Sequence, residues 1–184
     1  MLSFLLGIKV KRYYQQLAHY NQWINMSIYS AAGKLNQEAL SENRGAFFGS
    51  IIGTLNHILV GDIFWFKRFA DHLANYRTLE YFRSVNKPAS LDEMLHDELS
   101  NLLEVREHTD AVIVQFTSEL TDEVIASTLK YQNSKDQKFN KNMGDLLLHV
   151  FNHQTHHRGQ VSTLLYQAGI DIGVTDMVVG ISDK

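Results

Sequence analysis

Apolar side chains recur every three or four residues in four stretches of the chain, with polar positions between them. This spacing is typical of amphipathic α-helices that bury one face. The four predicted helices cover residues 12–35, 45–74, 90–119 and 143–168. Ser90 and Glu93 have the spacing of an N-terminal capping box, and Gly169 is a suitable residue to end the last helix. The pattern predicts an all-α fold.

The segments that join these helices include two that are too long for a simple up-down-up-down bundle. Residues 75–89 contain the only proline, Pro88. Residues 124–131 and 137–140 flank a polar turn, and a small β-hairpin fits there. Residues 171–181 are rich in β-branched residues and glycine, which predicts an extended tail along the bundle. We therefore predict one domain, residues 1–184, built as a four-helix bundle with long crossover connections.

The fourth predicted helix carries four of the nine histidines, at positions 149, 153, 156 and 157. Residues four apart share one face of a helix, so His153 and His157 stand together. A helical wheel directs these two towards the apolar side, whereas His149 and His156 lie at its edge or nearer solvent. Two inward imidazoles one turn apart predict a metal site. A pair of hydrogen-bonded core histidines is the alternative that the spacing leaves open.

The second predicted helix carries His57 between two glycines, Gly53 and Gly61. Glycine inside a helix costs about 0.5–1 kcal/mol relative to alanine, so these positions indicate that another group comes close to the His57 stripe. Close packing of two helices needs the same glycines and is the alternative explanation. Asp62 lies on the opposite, apolar side of this helix, so a direct bond to His57 is not expected. Another histidine, Arg158 or a polar group of the first helix could be its partner, either in support of the metal site or, as the favoured alternative, in an ordinary structural hydrogen bond.

Two of these segments carry a resemblance to a known family. Leu55–Trp65 and Leu148–Val161 resemble the two signature helices of the DinB/YfiT-like metalloenzyme family, and Tyr20–Asn25 is similar to that family's first helix. The match extends from about residue 12 to residue 179. The resemblance implies one divalent cation per chain, bound by one histidine of the second helix and two of the fourth. The matching positions here are His57, His153 and His157.

The chemistry that such a site would support leaves two functions open. Three imidazoles leave a divalent ion with open positions, as in catalytic sites, and suit zinc or nickel best, with iron, cobalt, copper and manganese as further options. The first function is an enzyme that activates water or a thiol for hydrolysis or thiol transfer on a small molecule, since relatives resemble thiol-dependent transferases. The second is a non-catalytic metal- or ligand-binding bundle, for example in a stress response. Gln154 stands where His-Glu-x-x-His metalloproteases have their general base, so such a protease is not expected.

Composition narrows the choice of partners. The net charge of −3 is spread along the chain without a basic stripe, so we expect no nucleic-acid partner. The absence of cysteine excludes a disulfide scaffold or thiolate ligands and fits a cytoplasmic location. The apolar residues 1–10 are too few to span a bilayer and are interpreted as a short leader or a frayed end, so no membrane partner is expected.

Several other residues support brief expectations. The second helix and the region after it hold more aromatic residues than one helix seam is expected to cover, and relatives resemble homodimers, so we predict a twofold dimer. Those aromatics are Phe64, Trp65, Phe66, Phe69, Tyr76, Tyr81 and Phe82. Tyr20, Asn21 and Asn25 could line a pocket, although Tyr20 fits the core better. Arg158 is expected to form an ion pair or to lie at the boundary of the core.

Overall fold

The computed structural model describes residues 2–133, 135–181 and 183, with side chains from residue 10 onward. In chain order its elements are α1 (Leu2–Ala32), α2 (Gln37–Ser41), α3 (Ile51–His72), α4 (Glu80–Ser84), α5 (Leu99–Glu119), α6 (Asp122–Ala126), β1 (Thr128–Gln132), β2 (Lys138–Asn142) and α7 (Met143–Gln167). Short 3-10 turns lie at Arg77–Leu79 and Met177–Gly180. The prediction of a mostly helical fold with one small hairpin is confirmed.

The four long helices are α1, α3, α5 and α7, and they pack as a bundle. α1 lies along α5 and α7, while α3 lies along α7. The strands β1 and β2 form an antiparallel pair in which Thr128 faces Asn142 and Gln132 faces Lys138. Asn142 ends the hairpin and also begins α7, because its side chain accepts a hydrogen bond from the Asp145 amide at 3.0 Å.

Seven buried polar residues divide the core into two apolar clusters. On α5 and α7 they stand between residues of one cluster and residues of the other, and on α1 and α3 they lie close to the same boundary. We call this group the polar layer; its members are Asn21, Asn25, Asp62, Arg106, Asp110, Gln154 and Arg158, each no more than 4% exposed. The polar layer ties all four long helices together.

The helix α3 begins six residues later than predicted. Residues 45–50 form a tight turn instead, in which Gly45 and Gly49 have φ angles of 71° and 73°. Such positive φ values favour glycine. Ser50 then begins the helix, because its hydroxyl accepts a hydrogen bond from the Gly53 amide at 3.0 Å. The turn directs Phe48 back over α3, where its ring stacks on His57.

The predicted capping box at Ser90 and Glu93 is wrong, since α5 begins only at Leu99. Glu93 accepts a hydrogen bond from the Ala89 amide, but no helix follows there. Asn56 of α3 holds the segment instead: its side-chain amide donates to the His96 carbonyl at 2.8 Å and accepts from the His96 amide at 3.0 Å. Residues 85–98 therefore cross the surface of α3 as irregular chain.

Other boundaries also differ. The helix α1 begins at Leu2, ten residues before the predicted start at residue 12. Residues 122–126 form a short helix before the hairpin, with Thr121 accepting from the Val124 amide. The tail reaches α1, where the Tyr20 hydroxyl donates to the Thr175 carbonyl at 2.8 Å, but it includes a 3-10 turn where extended chain was predicted. The end of the last helix near Gly169 is confirmed.

The aromatic residues on and after α3 are largely covered within the chain. Phe66 and Phe69 are fully buried, and Phe82 of α4 stacks on Phe66 with 4.7 Å between the ring centroids. Trp65 packs against Tyr131 of the hairpin at 5.4 Å. An uncovered aromatic surface therefore does not support the homodimer, which stays a prediction. In the described part of the chain, no helix is both long enough and apolar enough to cross a membrane.

Candidate metal centre

Three imidazole rings from two helices meet at one point on the side of the bundle. His57 comes from α3, and His153 and His157 stand one turn apart on α7. The Nε2 atom of His57 lies 3.1 Å from Nε2 of His153 and 3.2 Å from Nε2 of His157. His57 and His157 are buried, and His153 is half-buried. We call these three residues the histidine cluster; all three potential ligand atoms lie within 4.8 Å of one another.

Gly61 allows the two helices to come this close. A Cβ atom at position 61 would lie 2.8 Å from Cε1 of His153, closer than real side chains approach. The sequence argument that something comes near the glycines is therefore confirmed at Gly61, and the group that approaches is the His153 ring. At Gly53, an added Cβ would instead meet the Phe48 carbonyl at the start of α3.

Hydrogen bonds on the far side of two rings set their proton positions. His57 Nδ1 lies 2.7 Å from the Leu91 carbonyl, which can only accept, so Nδ1 carries the proton and Nε2 of the neutral ring is a bare acceptor. His157 Nδ1 donates to Oε1 of Gln160 at 2.8 Å, with the same consequence for its Nε2. Hydrogen-bond partners of this kind orient histidines that bind metal ions.

The surroundings of the histidine cluster favour neutral rings. Burial lowers the pKa of His57, and its hydrogen bond to Leu91 opposes this only in part. Burial, together with repulsion by the rings of His157 and His57, lowers the pKa of His153 to about 3. Burial also lowers the pKa of His157. The rings therefore offer lone pairs at neutral pH, the state that metal binding requires.

An apolar cavity of about 860 Å³ opens beside the histidine cluster. Phe48 stacks on His57 with 3.7 Å between the ring centroids and meets His157 edge-on at 5.5 Å. The cavity is also lined by Phe47, Leu91 and Met94. Phe47 and Phe48 belong to the turn before α3, and Leu91 and Met94 belong to the irregular segment before α5. A small molecule in this cavity would contact both the imidazoles and apolar side chains.

The remaining histidines of α7 stand outside the histidine cluster. His149 is exposed and lies edge-on to Trp65 with 5.1 Å between the centroids. His156 is exposed, lines the cavity and has its Nε2 atom 3.4 Å from Nε2 of Gln160. This arrangement agrees with the wheel, which placed both residues nearer solvent.

Of the three residues expected to line a pocket, Asn21 and Asn25 belong to the polar layer instead, whereas the half-buried Tyr20 lines a cleft between α1 and the tail. Asn21 and Asn25 donate to the Asp110 carboxylate at 3.0 and 2.9 Å. Arg158 donates to Asn21 and to Thr155, and its guanidinium lies over the Tyr20 ring. Burial lowers the pKa of Arg158 to about 10. Amide and hydroxyl oxygens accept its hydrogen bonds, so the ion pair, one of the two roles expected for Arg158, is not seen among the described residues.

Asp62 has the structural role expected for it. Arg106 donates to one oxygen of Asp62 at 2.5 Å and Gln154 donates to the other at 2.6 Å. His57 and Asp62 face opposite sides of α3, so the carboxylate does not reach the histidine cluster. Arg106 was not among the partners predicted for Asp62.

Comparison with known proteins places this architecture in a family. A family model described as the DinB family matches residues 4–181. The chain belongs to the DinB family. Protein DinB of Bacillus subtilis (strain 168) is 26% identical to it over 167 residues, which cover 88% of this chain and 89% of that protein. No solved structure gives a significant match.

In this DinB-family chain, several residues around the candidate site escaped the sequence analysis. Gln160 stands three residues after His157 on α7, so helical spacing could have identified it as a partner. The Leu91 carbonyl and Phe48 belong to irregular segments, and no periodic signal connects them with His57.

In the polar layer, Arg106 and Asp110 share the buried stripe of α5 with Leu102 and Ile113. Two opposite charges on an apolar face were a visible signal in the sequence.

Proposed function

We propose that His57, His153 and His157 bind one divalent metal ion and that the protein is a metal-dependent enzyme acting on a small molecule. The convergence of three Nε2 atoms, two of them fixed as bare acceptors, is the observation that carries this proposal. Membership of the DinB family is compatible with it.

The donor set fits a cation better than a network of hydrogen bonds. Two acceptors 3.1–3.2 Å apart repel unless a proton or a cation lies between them. A single proton on His153 Nε2 can serve His57 alone, which leaves His157 Nε2 without a donor. A divalent cation would satisfy all three lone pairs. Nitrogen-only ligation favours zinc or nickel among the candidate ions.

A bound divalent ion would supply Lewis acidity, which lowers the pKa of a coordinated water or thiol towards neutrality. The chain itself does the positioning. Leu91 and Gln160 hold two of the rings in one tautomer, and Gly61 gives the third ring room beside α3. Phe48 shields the imidazoles from solvent on one side.

The cavity supports a catalytic role over a closed structural one. The candidate group among the described residues consists of three histidines, and the exposed His149 and His156 are not members of it. Three protein ligands leave at least one position for water or substrate. Phe47, Leu91 and Met94 are exposed within the cavity and would contact the apolar part of a small electrophile. Hydrolysis and transfer of a low-molecular-mass thiol are the two reactions that suit this arrangement.

Metal stoichiometry tests the binding half of the proposal. Untagged protein reconstituted with zinc or nickel should hold about one ion per chain by elemental analysis. Replacing any one of the three histidines with alanine should weaken binding at least about tenfold in competitive chelator titrations. His149→Ala and His156→Ala are matched controls on the same helix and should have smaller effects. Binding that survives two of the three cluster substitutions would contradict the assignment.

Activity assays test the catalytic half. Turnover of hydrolysable esters, and of electrophiles paired with low-molecular-mass thiols, would be measured with metal-loaded, metal-free and His153→Ala protein. Turnover should require the metal-loaded form and should rise with pH through neutrality. Equal activity in all three forms would exclude a metal-dependent mechanism. Tight metal binding without turnover of any substrate would favour the non-catalytic binding bundle.

A further inference from the structure

Positive charge gathers around a second cleft, at the other end of α3. This cleft has a volume of about 630 Å³ and lies between α3, the hairpin and the segment after α4. Its cationic lining residues include Arg68 of α3, Lys87 after α4 and Lys130 of β1. Arg68 follows His57 by three helical turns, about 16 Å along the axis, so the cleft is separate from the histidine cluster.

Arg68 is held in place by aromatic rings. Its guanidinium carbon lies 4.8 Å from the centroid of Trp65 and 5.0 Å from that of Tyr131. Burial lowers the pKa of Arg68. Within the described part of the chain, no carboxylate lies within 4.0 Å of its nitrogens and no hydrogen-bond acceptor meets them. A half-buried guanidinium is thus fixed on an apolar platform without an anion.

The neighbouring Lys67, in contrast, has hydrogen-bond acceptors for its ammonium group within the chain. Its ammonium donates to the carbonyls of Phe82, Arg83 and Val85 at 2.9, 3.3 and 2.6 Å. These three bonds use all of its donors and fix the chain two residues before Lys87. Lys67 is therefore a structural element of the cleft wall, and Arg68, Lys87 and Lys130 keep their donors for a ligand.

The aromatic lining limits the kind of ligand. Phe64 lines the cleft, and the Lys87 ammonium lies 5.8 Å from its centroid. Tyr131 and Lys130 of β1 also line the cleft. Asp71 is also in the lining, and none of the ion pairs between described residues includes it. Because the whole chain has a net charge of −3, a cleft with three cations that have available donors is a local feature and not part of a generally basic surface.

We propose that this cleft binds a small organic oxyanion, a carboxylate or phosphate carried on an aromatic group. The planar fork of Arg68 matches either oxyanion through paired N–H donors. Lys87 and Lys130 line the same cleft from two other segments, and the ring of the ligand packs against its aromatic residues. The proposal does not depend on a metal ion.

Trp65 provides a direct probe, since the chain has only one other tryptophan, Trp23. In Trp23→Phe protein treated with a chelator, Trp65 fluorescence should change in a saturable way with phenyl phosphate and with benzoate. Benzamide has nearly the shape of benzoate without its charge and should bind at least about tenfold more weakly. The stronger of the two anions identifies phosphate or carboxylate as the preferred group. Chelation keeps both anions from acting as metal ligands at the histidine cluster.

Substitutions decide whether the cations named here are responsible. Arg68→Met should weaken binding of the preferred anion at least about tenfold. Lys130→Met, at an exposed strand position, should weaken binding of the same anion about threefold. Lys34→Met, an exposed lysine beyond the end of α1, is the matched control and should leave binding unchanged. Equal binding of benzamide and benzoate, or undiminished anion binding in Lys130→Met and Arg68→Met protein, would overturn the proposal.

Discussion

Two groups of polar side chains lie on opposite faces of the same two helices, and they solve the burial of polar atoms in opposite ways. Gly61 and Asp62 are neighbours in α3, as His153 and Gln154 are in α7. In each pair, the first residue serves the histidine cluster and the second serves the polar layer. In the polar layer opposite charges face each other within the chain, whereas in the histidine cluster the bare acceptor atoms of His57 and His157 face each other.

The polar layer is balanced by its own residues. Arg106 bridges Asp62 at 2.5 Å and Asp110 at 2.8 Å, and Arg158, whose hydrogen bonds go to Asn21 and Thr155, adds a second positive charge to the layer. Burial alone would lower the pKa of Arg106, but the two carboxylates raise it above its ordinary value. These contacts join all four long helices. The histidine cluster has no such internal compensation, which is why we assign it to an external cation.

Removal of Arg106 should give the largest loss of stability. Arg106→Met leaves two buried carboxylates without their shared cation, and breaking a buried pair in this way costs about 3–5 kcal/mol. The free energy of unfolding from urea titration of metal-free protein measures the effect. Arg77→Met, at an exposed arginine in the turn before α4, is the control and should change it by less than about 0.5 kcal/mol. A loss below about 1 kcal/mol for Arg106→Met would mean that the polar layer contributes little.

Acid should weaken the metal-free protein through the histidine cluster. Burial keeps the pKa values of its rings below the ordinary value of about 6.5, and that of His153 falls to about 3. Between these values, the unfolded chain binds more protons than the folded chain, so the free energy of unfolding falls as pH drops from about 6.5 towards 3. Above pH 6.5 these rings add no pH dependence.

The comparison protein for this experiment is His153→Ala, whose urea midpoint should decline less over the same pH range. Metal affinity should fall in the same direction, because protons compete for the ligand atoms. A wild-type midpoint that stays constant down to pH 4 would contradict the assignment of these low pKa values.

At neutral pH, loss of one cluster histidine should affect stability mainly when metal is present. In metal-free protein, His153→Ala removes one of three crowded acceptors and should change the free energy of unfolding by no more than about 1 kcal/mol. In wild-type protein, free metal at 100 times its dissociation constant should add about 2.7 kcal/mol, and this increment should vanish in the variant. Thermal unfolding with and without zinc measures both quantities. An equal loss in both states would make His153 an ordinary core residue.

The sequence predicted the histidine cluster of this comparison but not the polar layer. Periodicity placed α7 almost to the residue and put His153 and His157 on one inward face. The resemblance supplied His57, and the structure brings all three rings together. The polar layer depends on residues that meet across four helices, such as Asp62 with Arg106, and one-dimensional periodicity contains no such pairing. The turn at residues 45–50 was assigned to a helix because its apolar residues continue the helical pattern, although two glycines break it.

The smallest effects should separate two glycines that sequence alone treats alike. Gly61→Ala places a methyl group against the His153 ring, 2.8 Å from Cε1 before any movement. Ring displacement should reduce metal affinity several-fold, while the better helix propensity of alanine keeps the change in unfolding free energy within about 1 kcal/mol. Gly159 in α7 has nothing within 4 Å of an added Cβ, so Gly159→Ala should stabilise the metal-free protein by about 0.5–1 kcal/mol and leave metal affinity unchanged. Chelator competition and urea titration of the two variants, side by side, measure the difference. Equal metal affinity in both would show that the His153 ring moves aside freely and that Gly61 is not what positions it.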